Sequence, residues 1–402
     1  MRQPWILICL LFAGCLTGPT RPPTSVQPDV QRTEPPPAEA PARPPPDTPP
    51  PAATAPSPPP EARPLTLVVG GDVTLGLHYE EYFDEQVSRG RSREEMFAYG
   101  FREVRPAVER AGADLFLVNL ECPFTDRGEK LPKNFNFRAR PEFVASLLAG
   151  GVDAVSLANN HLMDFGVVGL MDTISVLDQA KIPHFGAGLN LAEARRPAII
   201  ERNGIRLALL GYFFLGTRNI EPRAVIATDT TPGVAGHYDS EEAMLAMLRE
   251  DIALAKTRAD LVIPFFHWGK EGEHTPQPYQ VRLAHAAVDA GAAAVLGSHP
   301  HVLQGMELYQ GAPIIYSLGN FVFGGNWNPR KKESALYQAR FSAAGHLSSG
   351  LIPLKTDRYP ELPMQPYPLQ GEEAETVLRN VAGFSAGFER MLPVLQPYAP
   401  GP

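Results

Sequence analysis

The sequence predicts an α/β fold, and three observations carry that expectation. From residue 65 onward, short apolar runs alternate with helix-forming segments. The runs are continuous in apolar character, as in strands buried on both faces. Each run ends in a polar cluster, and ligands in open α/β sheets gather outside the carboxyl ends of the strands.

Taken in order, the chain starts with a targeting segment at residues 1–15. Arg2 is a minimal positive region, and the apolar run 5–13 is too short to span a bilayer. LFAGC at 11–15 resembles the lipobox of bacterial lipoproteins, which implies acylation of Cys15 and a lipid anchor in the cell envelope. Leu16 is not an inner-membrane retention signal of the Asp type, so an outer membrane is expected if the cell has two. An ordinary signal peptide with an incidental cysteine is the alternative.

Residues 16–64 hold 19 of the chain's 43 prolines. Such a segment cannot bury enough apolar surface to fold, and it reads as a disordered tether reaching up to roughly 150 Å. The folded domain is expected over 65–390, with 391–402 as a tail. With Cys9 in the cleaved segment and Cys15 at the lipid anchor, Cys122 is the one free cysteine of the expected mature domain, which points to histidine, carboxylate and amide donors for any metal. The net charge of −8 argues against a nucleic-acid groove.

Within the domain, the expected strands and their exits are 65–69 into GGDVTLG (70–76), 115–118 into NLE (119–121) and 152–157 into ANNHLMDFG (158–166). Two more follow: 261–266 into HWGKE (267–271), after a helix at 241–258, and 292–296 into GSHPHVLQG (297–305), after a helix at 281–290. Asn203-Gly204 marks a hairpin turn inside 198–211. A further strand at 314–318 exits into GNF (319–321), and 372–390 reads as a closing amphipathic helix. The strand exits are expected to converge on one crevice.

The last exit carries His299 and His301, two imidazoles either side of Pro300. In extended backbone, side chains two apart point the same way, which suits one transition metal or two adjacent ones. The other exits add Asp72, Glu121, Asn160, His161, Asp164, His267 and Glu271. Each has a plainer reading. Asp72 can cap a helix, Asn159 and Asn160 can form a turn, and His267 with Trp268 can be a core pair. Their shared position at strand ends favours a divalent-metal crevice.

GGDVTLG, NLECPFT, ANNHLMDFG, HWGKE, GSHPHVLQG and YSLGNF, in this order, resemble the CapA family of bacterial capsule-synthesis proteins, linked to poly-γ-glutamate. The resemblance runs from 65 to about 387. It implies a calcineurin-like metallophosphoesterase-type sandwich of β-sheets flanked by helices. It also implies two divalent ions (Mn, Mg, Zn or Fe), the first held by Asp72 and His301, the second by Asn160, His267 and His299, with Glu121 bridging. His161 is implied as a general acid oriented by Asp164. Two departures from the common phosphoesterase pattern stand out: Thr74 where an imidazole is usual, and Glu121 in place of an Asp. With fewer nitrogen ligands, Mn²⁺ or Mg²⁺ is expected over Zn²⁺.

Lys133 and Arg138, in KNFNFRAR, are candidates to contact an anionic substrate, a basic solvated loop being the plainer reading, and Trp268, Glu271 and Asn320 are candidates to line the crevice or support the ligand shell. Two functions follow from the resemblance. One is a role in making or exporting a capsular polymer such as poly-γ-glutamate, with the synthesis machinery and the anionic polymer as partners. The other is a metal-dependent hydrolase of the phosphoesterase type acting on an envelope substrate.

Overall fold

The computed structural model describes residues 63–217 and 219–392. The chain divides into two units, 1–59 and 60–402, and the described residues lie in the second. The targeting segment, Cys15 and almost all of the tether fall outside the described residues.

Two sheets form the middle of the domain. In the larger, Leu65–Thr74 runs parallel to Leu115–Leu120, which is followed by Ala154–Ser156 and His184–Phe185. On its other side lies an antiparallel hairpin, Glu333–Ser342 and Gly345–Lys355, with Tyr367–Pro368 at the edge. The second sheet orders Met306–Tyr309, Ala312–Ile315, Val295–Ser298, Leu261–Trp268, Ile205–Phe214 and Ala198–Arg202. Its four central strands are parallel.

Period-two alternation decides which side chains meet. Leu65, Leu67 and Val69 pack with Leu207, Leu209, Ile263 and Phe265 in a core between the sheets. The opposite faces pack on helices. Val68, Phe116 and Val118 meet Tyr79, Phe83 and Leu147, while Leu210, Phe266 and Trp268 meet Met244, Leu248 and Leu283. The result is a helix–sheet–sheet–helix sandwich, the architecture that the family resemblance implies. Each fully buried large apolar side chain contributes about 1.5–3 kcal/mol.

Local sequence explains the elements. The helix Glu241–Lys256 starts where the Ser240 side chain accepts from the Ala243 N–H at 3.1 Å, with Glu241 and Glu242 in its first turn and Lys256 in its last. Asn203 and Gly204, at φ +55° and +76°, make the expected two-residue turn between Ala198–Arg202 and Ile205–Phe214. The closing helix is shorter than expected, Gly371–Phe384. The chain beyond it still packs: Leu392 is buried, and its N–H bonds Met306 O at 3.3 Å, so the domain continues past residue 390.

Gly71 shows what the GGD sequence is for. A Cβ there would lie 1.9 Å from Gly319 O, and the adjacent Asp72 N–H bonds that same oxygen at 3.0 Å. The close approach lets Asp72 sit in register with Asn320. Gly71→Ala is expected to cost more than about 3 kcal/mol, because the obstacle is backbone rather than a movable side chain. Chemical denaturation checks this, and a midpoint within error of wild type would contradict it.

Candidate metal centre

The strand exits do converge, but they come from both sheets. Asp72, Glu121 and Asn160 leave the larger sheet; His267, His299 and His301 leave the second. All are buried except His301, whose side chain is 19 % exposed.

His299 and His301 reach the crevice by a different backbone from the one expected. Their φ values are +97° and +56°, left-handed rather than extended, and their rings stand 5.7 Å apart. Non-glycine residues in this region cost of order 1–3 kcal/mol each and concentrate at functional sites.

Around His267 Nε2 stand Asn160 Oδ1 at 2.8 Å, His299 Nδ1 at 3.0 Å and Glu121 Oε1 at 3.5 Å. Imidazole nitrogen, amide oxygen and carboxylate oxygen here are all atom types that can ligate a divalent cation. On the other side of Glu121, His301 Nε2 is 3.7 Å from Oε1, and His301 Nδ1 is 3.4 Å from Asp72 Oδ2. Two donor triads thus share Glu121: Asp72–Glu121–His301 and Glu121–His267–His299. Both Glu121 oxygens are fully buried and have no hydrogen-bond partner. A buried carboxylate without a hydrogen-bond partner is costly. A cation beside it would remove that penalty, so these residues fit a divalent-metal site.

Electrostatics point the same way. Burial, and then Asp72, pushes the Glu121 carboxyl well above its usual range. Burial and neighbouring imidazoles hold His267 and His299 well below theirs, in the neutral form that ligates metals. At His301 burial acts downward, but Glu121, Asp72 and Glu271 outweigh it, and the imidazole is pushed up to about 10.

Outer partners orient the donors, as metal-binding histidines require. His267 Nδ1 is 3.0 Å from Ser298 Oγ, and His301 Nδ1 is 2.9 Å from Asn320 Oδ1. Asn119 Nδ2 donates to Asp72 Oδ1 at 2.8 Å. Asn160 Nδ2 donates to Glu221 Oε1 at 3.0 Å, which turns its carbonyl oxygen toward His267.

His161 stands beside the triads. Its Nε2 is 4.0 Å from Glu121 Oε1, and its Nδ1 is 2.6 Å from Asp164 Oδ2. Its ring stacks on Phe137, with centroids 3.8 Å apart. Burial and then Lys133 lower the His161 pKa, while burial raises Asp164 to about 7 against the pull of Lys133.

Residues 66–325 match the model of the family described as "Bacterial capsule synthesis protein PGA_cap". This chain belongs to that family. The whole constellation from Asp72 to Asn320 lies within the matched segment, while the hairpin 333–355 and the closing helix lie beyond it. Among relatives, "Capsule biosynthesis protein CapA" of Bacillus anthracis is 34% identical over 301 residues, covering 73% of this chain and 68% of that protein. "PGA biosynthesis protein CapA" of Bacillus subtilis (strain 168) is 33% identical over 278 residues, covering 68% and 67%. A "Probable polyglutamine synthesis accessory protein" of Mycobacterium tuberculosis is 30% identical over 328 residues, covering 73% and 85%. A solved structure from Thermus thermophilus aligns with 70% of this chain and 100% of that chain, at a TM-score of 0.36 and 11% identity.

Two of the residues expected near substrate, Trp268 and Lys133, are placed otherwise in this family member. Trp268 is fully buried. Its Nε1–H donates to Tyr316 O at 2.9 Å and its ring stacks on Phe266, so it belongs to the core and not to the crevice wall. Lys133 spends its ammonium inside the site, on Asn160 O at 2.7 Å, Asp164 at 2.8 Å and Glu221 at 2.9 Å. Asn320 supports His301. Arg138 rests its guanidinium 4.3 Å over the Phe165 ring, and Glu271 is exposed at the crevice mouth.

Sequence reasoning missed Asn119, Ser298, Phe137 and Glu221. The first three lie in motifs already singled out, but each acts through a neighbouring donor rather than on the crevice, a role no local pattern marks. Glu221 lies in a loop with no strand exit and no local signal.

Proposed function

We propose that this protein acts in capsule or poly-γ-glutamate biosynthesis or export, through a crevice that holds two divalent ions. The observation that carries the metal reading is Glu121, buried, unpartnered and shared by two donor triads. The biological context comes from the relatives, whose names give capsule and PGA biosynthesis. In this reading Asp72, Glu121 and His301 hold the first ion, and Glu121, Asn160, His267 and His299 the second, with Mn²⁺ or Mg²⁺ favoured by the oxygen-rich set. Bound ions would supply Lewis-acid polarisation and charge neutralisation for an anionic group. Arg138 would add a positive charge at the rim. The polymer is the ligand, the synthesis and export machinery the partner, and a lipid on Cys15 the anchor to the envelope. Among the described residues no helix is long and apolar enough to cross a membrane.

The test uses full-length protein purified without chelator. Two ions per chain and chelator-sensitive binding of poly-γ-glutamate are the expected results. Binding that is indifferent to chelator would sink the polymer reading.

The His161–Asp164 pair favours a second reading, a metal-dependent phosphoesterase-type hydrolase with an envelope substrate. Asp164 and the Phe137 ring fix His161 so that Nε2 faces the triads, where it can hold or release a proton at a leaving group. His161→Ala is expected to lower any phosphodiester hydrolysis by roughly 10²–10⁴-fold with metal content unchanged. Absence of turnover with every divalent ion would remove this reading and leave the first standing.

A further inference from the structure

We infer that Glu271 is a fourth protein ligand of the first ion, reaching it from the second sheet's loop, an inference that rests on the metal reading above. Asp72, Glu121 and His301 give that ion three donors, while the second ion has four from Glu121, Asn160, His267 and His299. The deficit is local. Thr74, two residues past Asp72, is buried and donates its hydroxyl to Glu121 O at 3.1 Å, so it supplies no ligand.

Glu271 is placed to make up the number. One of its carboxylate oxygens and one nitrogen each of His299 and His301 all lie within 4.8 Å of one another. Two ligands on one ion at about 2.1 Å stand at most about 4.2 Å apart. Ligation therefore requires the Glu271 side chain to move toward His301. Glu271 is free to do so, being exposed, with no hydrogen bond or ion pair to its carboxylate among the described residues.

The loop itself is held in place. Gly272 N–H donates to Pro300 O at 2.8 Å, which ties the Glu271 loop to the turn carrying His299 and His301.

The experiment titrates Mn²⁺ into chelator-treated full-length wild type, Glu271→Ala and Glu271→His, followed by calorimetry and by metal analysis after gel filtration. Wild type is expected to retain two ions. Glu271→Ala should retain one and bind the other at least about tenfold more weakly, the lower bound seen when even an outer partner is lost. Glu271→His should regain the first ion and prefer Zn²⁺ there more than wild type does. If Glu271→Ala binds two ions as tightly as wild type, this inference fails and the metal reading stands. If wild type binds none, both fail.

Discussion

Glu121→Gln is expected to empty the crevice of both ions. The amide keeps the shape of the side chain but loses the charge that both triads share, and a neutral amide oxygen is a much weaker ligand for a hard cation. Metal analysis should fall from two ions per chain to fewer than one. Stability should move the other way in metal-free protein. With chelator present, wild type carries a buried carboxylate whose two oxygens lack partners. Its pKa is raised on folding, so its ionisation opposes the folded state as pH rises above the normal carboxylate range. Glu121→Gln removes that penalty and should gain about 1–3 kcal/mol at neutral pH. Adding Mn²⁺ should reverse the order, because ions stabilise only the protein that binds them. Denaturant midpoints with and without Mn²⁺ measure both halves. A variant less stable than wild type under chelator would contradict the account of Glu121.

Trp268→Ala is expected to lose about 3–5 kcal/mol, the range for removing a large aromatic from a core. The indole is fully buried, stacked 4.3 Å from Phe266, and bonded to Tyr316 O. A Cβ on Gly297 would stand 2.4 Å from its Nε1, so the glycine that opens GSHPH exists partly to admit this ring. Losing it should lower the denaturation midpoint sharply at an unchanged denaturant slope. A shift below about 1 kcal/mol would mean that Trp268 lines solvent after all.

Much of the site was legible without coordinates because donor chemistry is written in residue types. Asp, Glu, Asn and His at successive strand ends, with little cysteine, already supply the groups that the structure gathers and that could hold a metal. What stayed hidden is non-local. HWGKE reads the same whether its tryptophan faces helices or crevice, since that depends on the phase of the strand within a sandwich. Lys133 looks like a free cation until Glu221, 88 residues away, is seen to hold it. The paired histidines of GSHPH look extended because Pro300 favours such neighbours, yet both adopt positive φ.

The hairpin Glu333–Ser342 and Gly345–Lys355 was unread: Ala335, Tyr337, Ala339 and Phe341 face the core between the sheets, but Ser334, Gln338, Arg340 and the GHLSSG run break the apolar pattern. Its role, completing the larger sheet beside Leu65–Thr74, exists only through pairing.

The order of the motifs, the donor types and the alternation of strand with helix follow from the amino-acid sequence by itself, since each depends on neighbours within a few residues. The tertiary structure alone decided that two sheets supply the crevice, that Glu121 is shared by both triads, and which charged side chains stay free. Those facts depend on side chains as far apart as Asp72 and Asn320 meeting once the apolar faces between the sheets are buried, and no local pattern encodes that meeting.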